Sequence, residues 1–203
     1  MENLIIKKSS TQDVGGVAFV RNSGAVIATS CRFENNLAKD GGVFRVNQND
    51  GGVSSAYMPK TSGYSLLIDK CLFVGNSATA SGGAIRMNSY GVFKIVNTTF
   101  VENYAILNGG AISTNSSYVS ADTTSDVLVN VTIFNSYVEN KNPDRCGGLI
   151  TQAGVTKNKA DANGMIVKNS LIYGNYRGGK GDKPSDFLCW KSKIAGQVYK
   201  SDL

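Results

Sequence analysis

From Val127 to Ile133 the chain alternates. Val127, Val129, Val131 and Ile133 share one parity, with Leu128, Asn130 and Thr132 between them. Apolar residues at period two predict a strand with one buried face. Similar short runs recur along the chain, and no window of about 11 residues carries a helical period. Each run leads into the same sequence of events: an apolar residue, an Asn three places later, an Ala, then a Gly-Gly pair and a second short apolar run.

The copies align. Cys31, Phe33, Asn36 and Ala38 lead to Gly41-Gly42-Val43-Phe44; Cys71, Phe73, Asn76 and Ala78 lead to Gly82-Gly83-Ala84-Ile85. Thr98, Phe100, Asn103 and Ala105 lead to Gly109-Gly110-Ala111-Ile112; Val131, Ile133, Ser136 and Val138 lead to Gly147-Gly148-Leu149-Ile150. Ser170 to Asn175 opens a further copy, and Gly15-Gly16 closes an early one. The pairs at Gly15, Gly41, Gly82, Gly109 and Gly147 lie 26, 41, 27 and 38 residues apart. The short spacings define the unit. The long ones add polar insertions at Asn47–Thr61, Asn115–Ser125 with Glu139–Arg145, and Gln152–Asn163, of the kind surface loops tolerate. Gly51-Gly52 and Gly178-Gly179 fall outside the spacing and read as loop glycines.

A unit of this length with two or three short strands cannot bury its own apolar face, so neighbouring units must stack. The expected fold is all-β: one domain over residues 1–203, a right-handed parallel β-helix (a solenoid) of about six coils, rising about 4.8 Å per coil. Asn36, Asn76 and Asn103 then stack as a ladder of amides that Ser136 interrupts. Phe33, Phe73, Phe100, Ile133 and Ile172 line the interior. Gly41-Gly42, Gly82-Gly83, Gly109-Gly110 and Gly147-Gly148 make corners, through positive φ or close approach of the next coil.

This pattern resembles the polymorphic outer membrane protein repeat, with its Gly-Gly-Ala-Ile and Phe-x-x-Asn signatures, found in chlamydial surface autotransporters and adhesin-like proteins of other microbes. The likeness runs from about Asn3 to Trp190. It implies a β-helical region of the pectin-lyase-like superfold, used for adhesion or surface coating, without catalysis and at the cell surface or outside the cell.

Composition narrows the chemistry. The chain has 203 residues with 41% apolar and 18% charged, 23 Gly, 3 Pro and no His. Without His, the commonest general base and metal ligand is missing. The net charge of +6 comes from Lys and Arg scattered singly, with no basic stripe for nucleic acid. No apolar run approaches the length of a membrane span. The opening MENLIIKKSS lacks the plan of a signal peptide, which favours a piece of a longer protein or a subunit with covered ends.

Specific sites are few. Ser81-Gly82-Gly83-Ala84 lacks the Lys-Ser/Thr and the helix of a phosphate loop. Carbohydrate cleavage, which this fold hosts, needs paired carboxylates. Asp69 aligns with Thr29 and Val96, Asp40 with Val14, Ser81 and Asn108, and Glu34 and Glu102 occupy different phases. No catalytic residue, metal or cofactor follows. Asn47 to Gly51 reads as a turn rather than a calcium loop. Cys31 and Cys71 should stack on adjacent coils, within reach of a disulfide or as two buried thiols. Cys146 and Cys189 could pin a loop. Asn97, Asn115 and Asn130 head glycosylation sequons, with Asn97 and Asn130 facing outward by parity. The leading function is a structural or adhesive module whose loops and flat faces meet protein or glycan partners. A scaffold subunit that stacks end to end is the alternative, and a polysaccharide lyase or hydrolase the third.

Overall fold

A computed structural model describes residues 1–21, 24–47, 64–88, 92–115, 126–152, 165–190 and 199–200. Every regular element among them is a strand. The first rungs hold β1 (Ile5–Lys7), β2 (Ala18–Arg21), β3 (Val26–Thr29), β4 (Arg32–Glu34), β5 (Leu37–Ala38) and β6 (Phe44–Asn47). The middle rungs hold β7 (Leu66–Asp69), β8 (Leu72–Val74), β9 (Ser77–Ala78), β10 (Ile85–Asn88), β11 (Phe93–Val96), β12 (Thr99–Val101), β13 (Tyr104–Ala105) and β14 (Ile112–Asn115). Below them lie β15 (Val127–Val129), β16 (Thr132–Phe134), β17 (Tyr137–Val138), β18 (Leu149–Gln152), β19 (Ile166–Lys168), β20 (Leu171–Tyr173) and β21 (Tyr176–Arg177). The last are β22 (Lys183–Pro184), β23 (Phe187–Trp190) and β24 (Tyr199–Lys200).

These strands form four sheets, ordered β1-β4-β8-β12-β16-β20-β24, β2-β6-β10-β14-β18-β23, β19-β15-β11-β7-β3 and β22-β21-β17-β13-β9-β5. Each coil visits the sheets in turn, and each strand pairs in parallel with its copy one coil away. The arrangement is a parallel β-helix. The exception is β22, which pairs antiparallel with β21 and sets Pro184, without an N–H, opposite Tyr176.

Register carries the repeat into the core. Ile6, Phe33, Phe73, Phe100, Ile133 and Ile172 occupy one column. The rings of Phe33 and Phe73 stack at 4.8 Å, and those of Phe73 and Phe100 at 4.6 Å. Phe44 meets Phe33 edge-on at 5.0 Å, joining two sheets across the interior. Ala38, Ala78, Ala105 and Val138 fill a narrower corner.

The alternation at 127–133 is not one strand. Asn130 adopts φ 54° and breaks the run into β15 and β16. Leu128 is buried in β15 while Val127 and Val129 are half-buried; beyond the break Val131 and Ile133 point inward. One left-handed residue turns the strand and shifts the parity. The same occurs on every coil at Ser30, Lys70, Asn97 and Asn169, and at a second corner at Asn35, Gly75, Glu102, Asn135 and Gly174. Asn tolerates this conformation better than most residues, and Asn3, Asn35, Asn97, Asn130, Asn135 and Asn169 all adopt it.

The Gly-Gly pairs divide their work. Gly82 has φ 70°, and a Cβ on Gly83 would strike the Gly110 and Tyr104 carbonyl oxygens of the next coil. Gly147-Gly148 departs from the aligned role of Gly41-Gly42 and Gly109-Gly110. Leu149, not Ile150, pairs with Ile112, so the last pair slips by one residue. Gly147 is level with Gly110, and Gly148 falls in the buried slot of Val43, Ala84 and Ala111. Leu149 would overfill that slot; after the slip it continues the column of Ile85 and Ile112.

Phe73→Ala removes the middle of the ring stack and should lower unfolding stability by about 3–5 kcal/mol. The measurement is the urea midpoint, with far-ultraviolet dichroism confirming that the strands remain.

Candidate functional site

Strands β6, β14 and β18 belong to one sheet, and each runs directly into an insertion at 48–63, 116–125 or 153–164. The insertions lie outside the described residues, as do positions 48–51 of the calcium reading, but their points of departure share one side of the stack. Two rows of side chains form the outer surface of this sheet. One contains Phe19, Arg45, Arg86, Ser113 and Ile150. The other contains Arg21, Asn47 and Asn88.

The first row is unusual for an outer face because three of its members are buried. Arg45 is only 8% exposed, and Ser113 and Ile150 are buried. Arg45 and Arg86 stand on adjacent coils in direct register. Burial lowers both guanidinium pKa values, that of Arg86 to about 10; Asp40 opposes the shift at both, while Arg45 itself adds to it at Arg86. The Arg86 Nη1 donates to Ser113 Oγ. The Arg21 guanidinium lies 4.9 Å over the Phe19 ring at the head of the row.

The interior corner holds Asn36, Asn76 and Asn103, all fully buried. The Asn36 N–H donates to Asn76 Oδ1 at 3.0 Å and the Asn76 N–H to Asn103 Oδ1 at 3.0 Å. Each amide nitrogen also reaches back: Asn36 Nδ2 to the Ile6 carbonyl at 3.1 Å, Asn76 Nδ2 to Phe33 at 3.0 Å, Asn103 Nδ2 to Phe73 at 3.0 Å. Ser136 takes the next place, accepting from the Asn103 N–H at 3.3 Å, and passes the chain to Asn175 at 2.9 Å. Two members were missed in the sequence. Ser9 begins the ladder, donating its N–H to Asn36 Oδ1 at 2.9 Å. Asp186 ends it, accepting from the Asn175 N–H at 2.8 Å and Nδ2 at 3.0 Å. The repeat around both is too degenerate to mark them.

Cys31 and Cys71 belong to a second ladder. Cys31, Cys71 and Cys146 are free buried thiols, which corrects the disulfide readings for Cys31–Cys71 and Cys146–Cys189. The Cys31 N–H donates to Cys71 Sγ at 3.4 Å and the Cys71 N–H to Thr98 Oγ1 at 3.2 Å; Val131 donates to Ser170 Oγ at 3.1 Å. Each of these thiols and hydroxyls donates back to the carbonyl two residues earlier. Sulfur here does the work of a hydroxyl, and burial pushes the Cys71 thiol up to about 11. Cys146 Sγ donates to the Ser185 carbonyl at 3.0 Å and burial raises it to about 12. The backbone of Cys189 lies opposite Thr151 in β23.

Asn97 and Asn130 are exposed at the left-handed corner. Their side-chain nitrogens are already in use: Asn97 Nδ2 donates to Asp69 Oδ1 at 2.9 Å, and Asn130 Nδ2 to Asn97 Oδ1 at 3.0 Å. The third sequon Asn, Asn115, pairs with Asn88 through the backbone of β14. Outward aromatic rings meet their counterparts one coil away, Tyr104 tilted against Tyr137 at 4.8 Å and Phe134 stacked on Tyr173 at 4.6 Å.

Asp69 lies level with Thr29 and Val96, so no carboxylate stacks on it. Nothing in the repeat pattern marks Asp126. It occupies an interior column with Leu66, Phe93 and Met165, is 8% exposed, and accepts the Phe93 N–H at 3.0 Å. Burial raises its pKa to about 7. Among the described residues, no three His, Cys, Asp or Glu side chains gather as metal ligands.

Asn76→Ala should cost about 3 kcal/mol or more, because it strands several buried donors and acceptors. Asn97→Ala, in the exposed ladder, should cost under about 1 kcal/mol; chemical denaturation of both variants checks the contrast. Between about pH 4 and pH 7, Asp126 is ionised in the unfolded chain but protonated in the fold, so its contribution to stability falls as pH rises through that window. Asp126→Asn should flatten this slope, removing up to about 3 kcal/mol of the wild-type difference between pH 5 and pH 8 in denaturant melts.

No curated protein and no solved structure matches the chain. Residues 70–86 match the model of the Chlamydia polymorphic membrane protein repeat. That stretch holds Phe73, Asn76, Ala78 and Gly82-Gly83, the residues that make one core ring, one ladder step and one corner of a coil; over these residues the chain is similar to the polymorphic membrane protein repeat.

Proposed function

We propose that the chain is a non-catalytic adhesive module of a cell-surface or extracellular protein, a stiff β-helix that presents its insertions to a protein or glycan partner. The observation that carries this reading is the common origin of three polar insertions on one sheet of a stack built from the polymorphic membrane protein repeat. The insertions do not interrupt the rung-to-rung pairing: β6, β14 and β18 keep register with their neighbours. The rod supplies rigidity, and the insertions can vary without disturbing it.

Exposed Met1, Leu4, Ile5, Phe19 and Ile27 favour a second reading as a scaffold subunit. They gather where β1 and β2 form the outer strands of two sheets, an edge that another coil could extend.

The test is binding of the full chain to cultured cells and to a glycan panel. Variants with 48–63 or 116–125 shortened to turn length should keep the wild-type circular dichroism spectrum and lose at least about tenfold in affinity. Binding that survives every shortening overturns the adhesive reading. Concentration-dependent assembly in sedimentation velocity, abolished by Ile5→Lys, supports the scaffold reading instead.

A further inference from the structure

We propose that the outer surface of the insertion-bearing sheet contains an oxyanion site formed by Arg45 and Arg86, and that its ligand is an acidic sugar. Stacking two arginines in direct register places like charges one coil apart, about 4.8 Å in strand spacing. Nothing in the repeat demands this. The same row offers Phe19 above and Ser113 below, so the pair is a local feature.

The pair is under-compensated. Among the described residues Asp40 is the one carboxylate whose charge acts on both guanidinium groups, and its Oδ1 already accepts the Ser81 N–H at 3.1 Å. Arg45 Nε and Nη1 and Arg86 Nε are closed off from solvent and have no hydrogen-bond partner. A buried guanidinium donor left unpaired is costly, and the group that satisfies it best is a carboxylate, sulfate or phosphate held by two parallel N–H donors.

Asn88 narrows the ligand. It stands two residues beyond Arg86 in β10, on the same outer side, and its Oδ1 also has no partner. A simple anion satisfies the arginines and leaves Asn88 bare. A sugar acid satisfies both, its carboxylate meeting the guanidinium groups and a ring hydroxyl donating to Asn88. Arg86 and Asn88 are only half-buried, which gives the ligand its way in. The carrier of the sugar rests on the proposed surface role, but the site does not.

The experiment titrates wild-type chain with sodium glucuronate, sodium sulfate and glucose at ionic strength matched with chloride, followed by calorimetry and by the arginine Nε–H resonances. Expected is saturable one-to-one binding of glucuronate that moves the Arg45 and Arg86 resonances together, with no response to glucose. Arg45→Met and Arg86→Met should each weaken glucuronate at least about tenfold. Asn88→Ala should weaken glucuronate about fivefold and leave sulfate unchanged. The wild-type resonances decide the matter even if a variant fails to fold. No saturable binding overturns the site, and sulfate binding without glucuronate overturns the sugar. Cell binding that survives every insertion shortening, with glucuronate binding intact, would count against the adhesive role alone.

Discussion

Parallel backbone pairing between consecutive coils is the interaction on which everything else depends. It fixes the spacing at one strand width and the register at zero offset. A residue's nearest neighbour in space is then its own counterpart one coil away. Under that constraint a side chain is kept only if it can sit on a copy of itself. Phe33, Phe73 and Phe100 do so by ring stacking, and Asn36, Asn76 and Asn103 by amide hydrogen bonds. Small residues at 38, 78 and 105 do so by taking little room.

The corners follow from the same constraint. A strand that turns must free some N–H groups from the ladder of its sheet, and in a closed interior those groups need acceptors. The Asn column provides them at one corner. At another, Cys71, Thr98 and Ser170 each accept an N–H from the coil before and donate to a nearby carbonyl. Thiol and hydroxyl are interchangeable there because the position asks for a short side chain with one donor and one acceptor. A disulfide between Cys31 and Cys71 would withdraw both sulfurs from that role.

Where the chain departs from like-on-like stacking, the departures mark different things. Asp126 in an apolar column costs stability and is tolerated by staying protonated near neutral pH. The slip at Gly147 resolves a conflict of volume. The Arg45–Arg86 pair is the opposite case: it keeps like on like where charge opposes it, on the outer side of the sheet instead of inside the core. That pair leaves Arg45 Nε and Nη1 and Arg86 Nε without a hydrogen-bond partner.

The sequence by itself determined the architecture. Five spaced Gly-Gly pairs, each in phase with an upstream apolar residue and most with an Asn, admit few solutions besides a stack of coils, because no single unit can bury its own face. The interior column and the Asn ladder were legible for the same reason: each is a repeat read at one phase. The tertiary structure alone decided what depends on local geometry. Left-handed corners at positions as unlike as Lys70, Asn97 and Glu102 share no residue type, so parity counting carried straight through them and mistook 127–133 for one strand. The free state of Cys31 and Cys71, the slip at 147 and the caps at Ser9 and Asp186 each turn on where one side chain points within a coil. Spacing along the chain reports which residues share a column; it does not report which way they face or whether the atoms they present are already paired.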